Sequence, residues 1–166
     1  MKTKSARSKG YYRLVKVKPQ NYEYKVGNHR YMLKFESIHP NRGKSTAIIQ
    51  MNESTTNWVD ESKEDWSPDP TIGKVLCCCY GNKFEIVYCL NMRSIVDKDP
   101  KRLKGQKNNT LNDAKNDKWI AQVCKGVDYI IVAYGDCKGV DPIVIAERKE
   151  QLLKILEEYD LYHVGG

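Results

Sequence analysis

Three short, almost unbroken apolar runs restrict this chain most: Thr46-Ala47-Ile48-Ile49-Gln50-Met51, Phe84–Leu90 and Tyr129–Tyr134. A strand with one wet face alternates apolar and polar residues, whereas a strand covered on both faces does not. Helix-like segments separate the runs. Pro70 to about Tyr80 has Asp69 in the capping position, Pro70 in the first turn and Gly81-Asn82 at its end. Asp113–Lys125 carries Ala114, Trp119, Ile120 and Val123 as its apolar set, and Pro142–Tyr159 is a long amphipathic helix. Leu161–Val164 reads as a last strand. From residue 46 the order is therefore β-α-β-α-β-α-β. That order predicts an α/β fold, a mainly parallel central sheet with helices on both faces. Right-handed crossovers put the carboxyl ends of its strands on one side.

The first part has another rhythm. Residues 1–10 read as a flexible basic tail, and 11–166 as a single domain with no internal repeat. Tyr11–Val17, Tyr22–Val26 and Tyr31–Glu36 alternate with period two, and Gly27-Asn28 suits a hairpin turn between the last two. They predict an N-terminal antiparallel β ribbon. Ile38–Lys44 is a turn-rich connection, and the polar stretch Asn91–Asn112 holds a short helical turn near Pro100–Leu103.

Composition excludes several classes. No apolar run approaches the ~18 residues of a membrane helix. No apolar stretch follows Met1-Lys2-Thr3-Lys4, so no secretory signal is expected, and the location is read as cytoplasmic. The cysteines Cys77, Cys78, Cys79, Cys89, Cys124 and Cys137 lack the paired spacing of a zinc site and read as small, buried, reduced thiols. His29, His39 and His163 lie far apart, so neither metal nor cofactor is expected. Phosphate-loop, dinucleotide and nucleophile-elbow motifs are missing. The net charge of +7 is concentrated in residues 1–34, which favours a polyanionic partner or else a solvated surface. Residues 57–69 are acidic and contain Trp58 and Trp66, a candidate protein-contact loop if both rings are exposed.

Ligands of open α/β sheets bind beyond the carboxyl ends of the strands. The three runs end in Asn52-Glu53-Ser54-Thr55-Thr56, Asn91-Met92-Arg93-Ser94 and Gly135-Asp136, and these sets should converge on one crevice. The Asn52 amide can read a base edge or hold a water. Ser54 and Thr55 suit a phosphate or carboxylate. Asn52 and Ser54 equally suit turn-shaping through local backbone bonds. Asn91 follows a buried strand directly, and Arg93 can clamp an anion. Asp69 is a base by chemistry and a helix cap by position. Gly135 allows close approach of backbone or ligand.

Together these motifs resemble the domain-of-unknown-function family 1643. Ile48 to Thr56 resembles its φφφ-L-N-P-S-T-A strand and loop, with Glu53 and Thr56 where the family has Pro and Ala. Asp69-Pro70-Thr71 resembles its D-P-T helix start, Cys89-Leu90-Asn91-Met92 its V-N-L, and Val132-Ala133-Tyr134-Gly135 its A-W-G. The order agrees from about residue 11 to residue 164. The family is prokaryotic and phage-borne, its activity is unassigned, and its motif layout is similar to that of the uracil-DNA glycosylase superfamily. The resemblance implies that superfamily's three-layer α/β/α fold. It implies that Asn52 positions a water and that Asn91 or a neighbour lines a base pocket, with Glu53, Asp69 and Tyr134 nearby. The target would be a base flipped from DNA. Only His163 is available to stand for the superfamily's late histidine.

Three readings are open. The first is an enzyme acting on a nucleobase in DNA or on a nucleotide. The second is a non-catalytic module for a nucleotide or small anion. The third is a protein-interaction factor using loop 57–69.

Overall fold

The computed structural model describes residues 7–16, 21–24, 27–39, 43–51, 57–96, 104–134 and 141–164. In chain order the elements are β1 (Tyr12–Val15), β2 (Asn21–Tyr24), β3 (Gly27–Arg30), β4 (Met32–Ser37), β5 (Lys44–Gln50), β6 (Asn57–Asp60), β7 (Asp65–Ser67), α1 (Pro70–Gly81), β8 (Phe84–Asn91), β9 (Ile95–Val96), α2 (Asn108–Leu111), α3 (Ala114–Lys125), β10 (Tyr129–Ala133), α4 (Pro142–Ile155) and β11 (Leu161–His163). The main sheet runs β1-β4-β8-β5-β10-β11. Its β8, β5, β10 and β11 are mutually parallel, and β4 and β1 extend it antiparallel.

The unbroken apolar runs have a packing cause. On one face Ala47, Ile49, Leu90, Ile130 and Val132 meet Ile120 and Val123 of α3 and Ile145 and Leu152 of α4. On the other, Leu33, Phe35, Ile48, Val87 and Cys89 meet Ile72, Leu76 and Cys79 of α1. Each side chain of β5 from Ala47 onward is therefore removed from water, whichever way it points. Each of the three long helices starts behind an aspartate cap, of which Asp69 was expected from the sequence. Asp69 accepts from the Ile72 N–H at 2.8 Å, Asp113 from Lys115 at 2.7 Å and Asp141 from Ile143 at 2.8 Å.

The N-terminal stretches pair differently from a separate ribbon. β1 and β4 pair with each other, Tyr12 opposite Ser37, and belong to the main sheet. Only β2 and β3 form a hairpin, which joins β9 in a second sheet. Gly27 and Asn28 lie within β3, Gly27 opposite Tyr24. Period-two alternation reports burial, not the partner strand, and β4 buries Met32 in one core and Leu33 and Phe35 in the other. The expected turn near Pro100–Leu103 lies outside the described residues. Of the expected tail, Ser8 is buried and the Lys9 ammonium meets Asp65 at 2.7 Å.

Acidic residues 57–69 form a hairpin, β6 to β7, rather than an open loop. Trp66 is 3% exposed and packs on Phe35 with ring centres 5.3 Å apart, which corrects its reading as an exposed contact residue. The Trp58 backbone pairs with that of Trp66. Glu61 and Asp65 pair with Lys16 and Lys9, so part of the N-terminal basic excess is met by this hairpin.

Candidate functional site

The chain leaves β5 across one face through α1 to β8, then crosses the other face through α3 to β10 on the opposite side of β5. That reversal is the topological switch point at which open α/β sheets form a crevice. Gln50 stands beside Asn91 on one side and beside Ala133 on the other, so the three strands end level. Among the expected site residues, Asn52, Glu53, Ser54, Thr55 and Gly135 lie outside the described residues, as does Asp136.

Register partners in parallel strands share a face. Ile48 and Cys89 face α1, so Gln50, Asn91 and Ala133 do as well. Gln50 is 5% and Asn91 4% exposed. The Gln50 Nε2 has no hydrogen-bond partner among the described residues. Such a buried donor costs about 1–3 kcal/mol. Sequence reading missed Gln50. Its signal was a polar residue inside an apolar run. Asp69 caps α1, and its charge reaches the Cys89 thiol, which burial first and Asp69 second push upward. Asp69 therefore lies on the α1 face with Asn91.

Tyr134 belongs elsewhere. It packs into the core under α3 and α4, with the Lys149 ammonium 5.2 Å from its ring centre. His163, on the edge strand β11, is in register with Val132, with β10 and β5 between it and the β8 end that carries Asn91. Arg93 is buried just past the end of β8.

The turn after β8 is held from three directions. The Met92 N–H donates to the Gln50 carbonyl at 2.6 Å. The Asn116 amide, wholly buried, donates to the Asn91 carbonyl at 3.0 Å and to the Asn112 side chain at 2.8 Å. Arg148 Nε donates to the Met92 carbonyl at 2.6 Å. Further on, the Ser94 hydroxyl lies 2.6 Å from His29 Nδ1 and accepts from the Asp113 N–H at 2.8 Å. Burial lowers the His29 pKa from its usual value against an opposing pull from Asp113, so the ring is neutral near pH 7. Chemically, this edge offers buried amides, the buried guanidinium groups of Arg93 and Arg148, and a backbone turn fixed by hydrogen bonds. Among the described residues no group of three His, Cys, Asp or Glu could hold a metal ion.

A family model described as "Protein of unknown function (DUF1643)" matches residues 30–165. The chain belongs to this family. The matched span takes in β4 to β11 and with them the whole carboxyl edge. No curated protein and no solved structure matches the chain. No helix among the described residues is long and apolar enough to cross a membrane.

Proposed function

We propose that the carboxyl edge binds a nucleobase, in a nucleotide or in DNA, with Gln50 and Asn91 reading its edge. One observation carries this reading: two buried amides stand side by side at the switch point, and the Gln50 donor has no partner among the described residues. Side-chain amides match bases because both present in-plane donors and acceptors. Burial keeps water from competing for those bonds. Arg93 supplies a buried cation suited to phosphate.

In this reading Asn52 positions a water, and Glu53, Ser54 and Thr55 form the loop beside the base. Gly135 lets the ligand approach the backbone, and DNA delivers the base flipped from its stack. The helices on both sheet faces are then the three layers of the uracil-DNA glycosylase superfamily, working in a prokaryotic or phage cytoplasm. Binding without bond cleavage is the second reading. It is favoured by His163 lying on the edge strand β11, separated from Asn91 by β10 and β5.

Titration calorimetry with dUMP, and anisotropy with a single-stranded oligonucleotide with and without uracil, test the reading. Binding lost in both Gln50→Leu and Asn91→Ala, with an intact circular dichroism spectrum, supports it. Binding unchanged in both overturns it. Abasic sites in the uracil-containing strand separate enzyme from binding module.

A further inference from the structure

We infer that a second site, separate from the strand ends, lies on the α1 face over β10 and β11 and takes a small amphipathic anion. The β10–α4–β11 crossover packs on the opposite face, so α1 alone among the described helices borders this one. A groove of about 620 Å³ results. That is within the roughly 300–1,000 Å³ of small-ligand sites. Ile131 and Ala133 line it from the sheet, Val75 and Cys78 from α1. The rings of Phe84, Tyr129 and Tyr162 form a row with successive centres 5.5 Å apart. Tyr162 is 49% and Val164 67% exposed, an apolar surface left open to water.

Charge decides the class of ligand. The charged side chains among the described lining residues include Lys44 and Lys74, both exposed, and no carboxylate. The Lys44 ammonium lies 5.8 Å from the Tyr129 ring centre, so cation and aromatic surface are adjacent. An apolar body with one carboxylate, sulfonate or phosphate head complements that lining. Gln50, Asn91 and Arg93 do not line the groove, so the site is independent of the strand-end reading.

The test uses 8-anilinonaphthalene-1-sulfonate as a fluorescent occupant and decanoate or decanol as competitor. Decanoate is expected to displace the dye and to bind roughly tenfold more tightly than decanol, the value of a charge-assisted contact. The double variant Lys44→Gln/Lys74→Gln should erase that difference, and decanoate should slow alkylation of Cys78. Gln50→Leu should leave decanoate binding unaltered, which separates this site from the strand ends. Equal displacement by decanol, no displacement by decanoate, or an unaffected double variant overturns the proposal. So does a dimer in sedimentation that Tyr162→Ser disperses, since the groove would then be filled by a second copy.

Discussion

Arg148 and Asp117 form a bidentate pair, with Nη2 at 2.6 Å and Nη1 at 3.2 Å from the two carboxylate oxygens. The guanidinium is wholly buried between α3 and α4, and its Nε holds the Met92 carbonyl. One side chain thus ties two helices to the turn that carries Asn91 and Arg93. Removing Arg148 leaves an orphaned carbonyl and a carboxylate without its cation. Arg148→Ala is expected to cost about 3 kcal/mol in urea unfolding. Arg148→Lys should recover little of it, because an ammonium cannot serve three acceptors in a plane. A loss under ~0.5 kcal/mol, the usual range for surface changes, would show the pair to be incidental.

Trp66 anchors the acidic hairpin to the core through Phe35. Trp66→Ala should destabilise the fold by about 3 kcal/mol, the cost of deleting a buried large aromatic. Thermal melting checks it. An unchanged melting temperature would return Trp66 to the surface role that its acidic neighbours suggest.

How far the sequence spoke depends on whether its signal was local. The apolar runs of β5, β8 and β10 and the cap Asp69 depend on a residue and its near neighbours, and they could be read. Asp113 and Asp141 cap their helices in the same local way, yet their role was passed over. The partner of β1 could not, because alternation is the same in a ribbon and at a sheet edge. The level ends of β5, β8 and β10 followed from the βαβ order, yet Gln50 was passed over in favour of the loop after it. Arg148, Asp117 and Asn116 look like ordinary surface residues of amphipathic helices. Only the packing of α3 on α4 joins them under the β8 turn.

His29 sets a pH dependence. It is buried beside the Ser94 hydroxyl, and burial holds its folded pKa below the ordinary 6.5. The unfolded chain therefore takes up a proton first as pH falls, so this stability term is complete above about pH 6.5 and is lost below it. Melting temperature should drop between pH 7.5 and 5, with a shallower drop in His29→Asn. Parallel pH profiles for the two proteins would remove His29 as the cause.

Thiol reactivity should follow burial and not sequence position. Cys78 is exposed, whereas burial pushes Cys124 up to about 12 and raises Cys79 and Cys89 further. A thiolate is the reactive form, so alkylation of the native protein should mark Cys78 and spare these three until unfolding. Peptide mapping by mass spectrometry reads the outcome directly. Rapid native labelling of Cys89 would mean that the core between β8 and α1 opens readily.

Gln50→Leu puts stability and binding in opposition. Leucine has nearly the volume of glutamine and would sit beside Ile48 and Cys89 without an amide to satisfy. If the Nε2 donor is kept for a ligand, the apolar variant should be as stable as the parent or up to about 1 kcal/mol more so, since the buried unpaired donor is gone. The same variant should lose dUMP binding. A structural amide predicts the reverse: Gln50→Leu would destabilise the fold and leave binding alone. Urea unfolding and calorimetry on one protein sample therefore separate a recognition residue from a core residue, and a destabilised variant that still binds would end the case for the strand-end site.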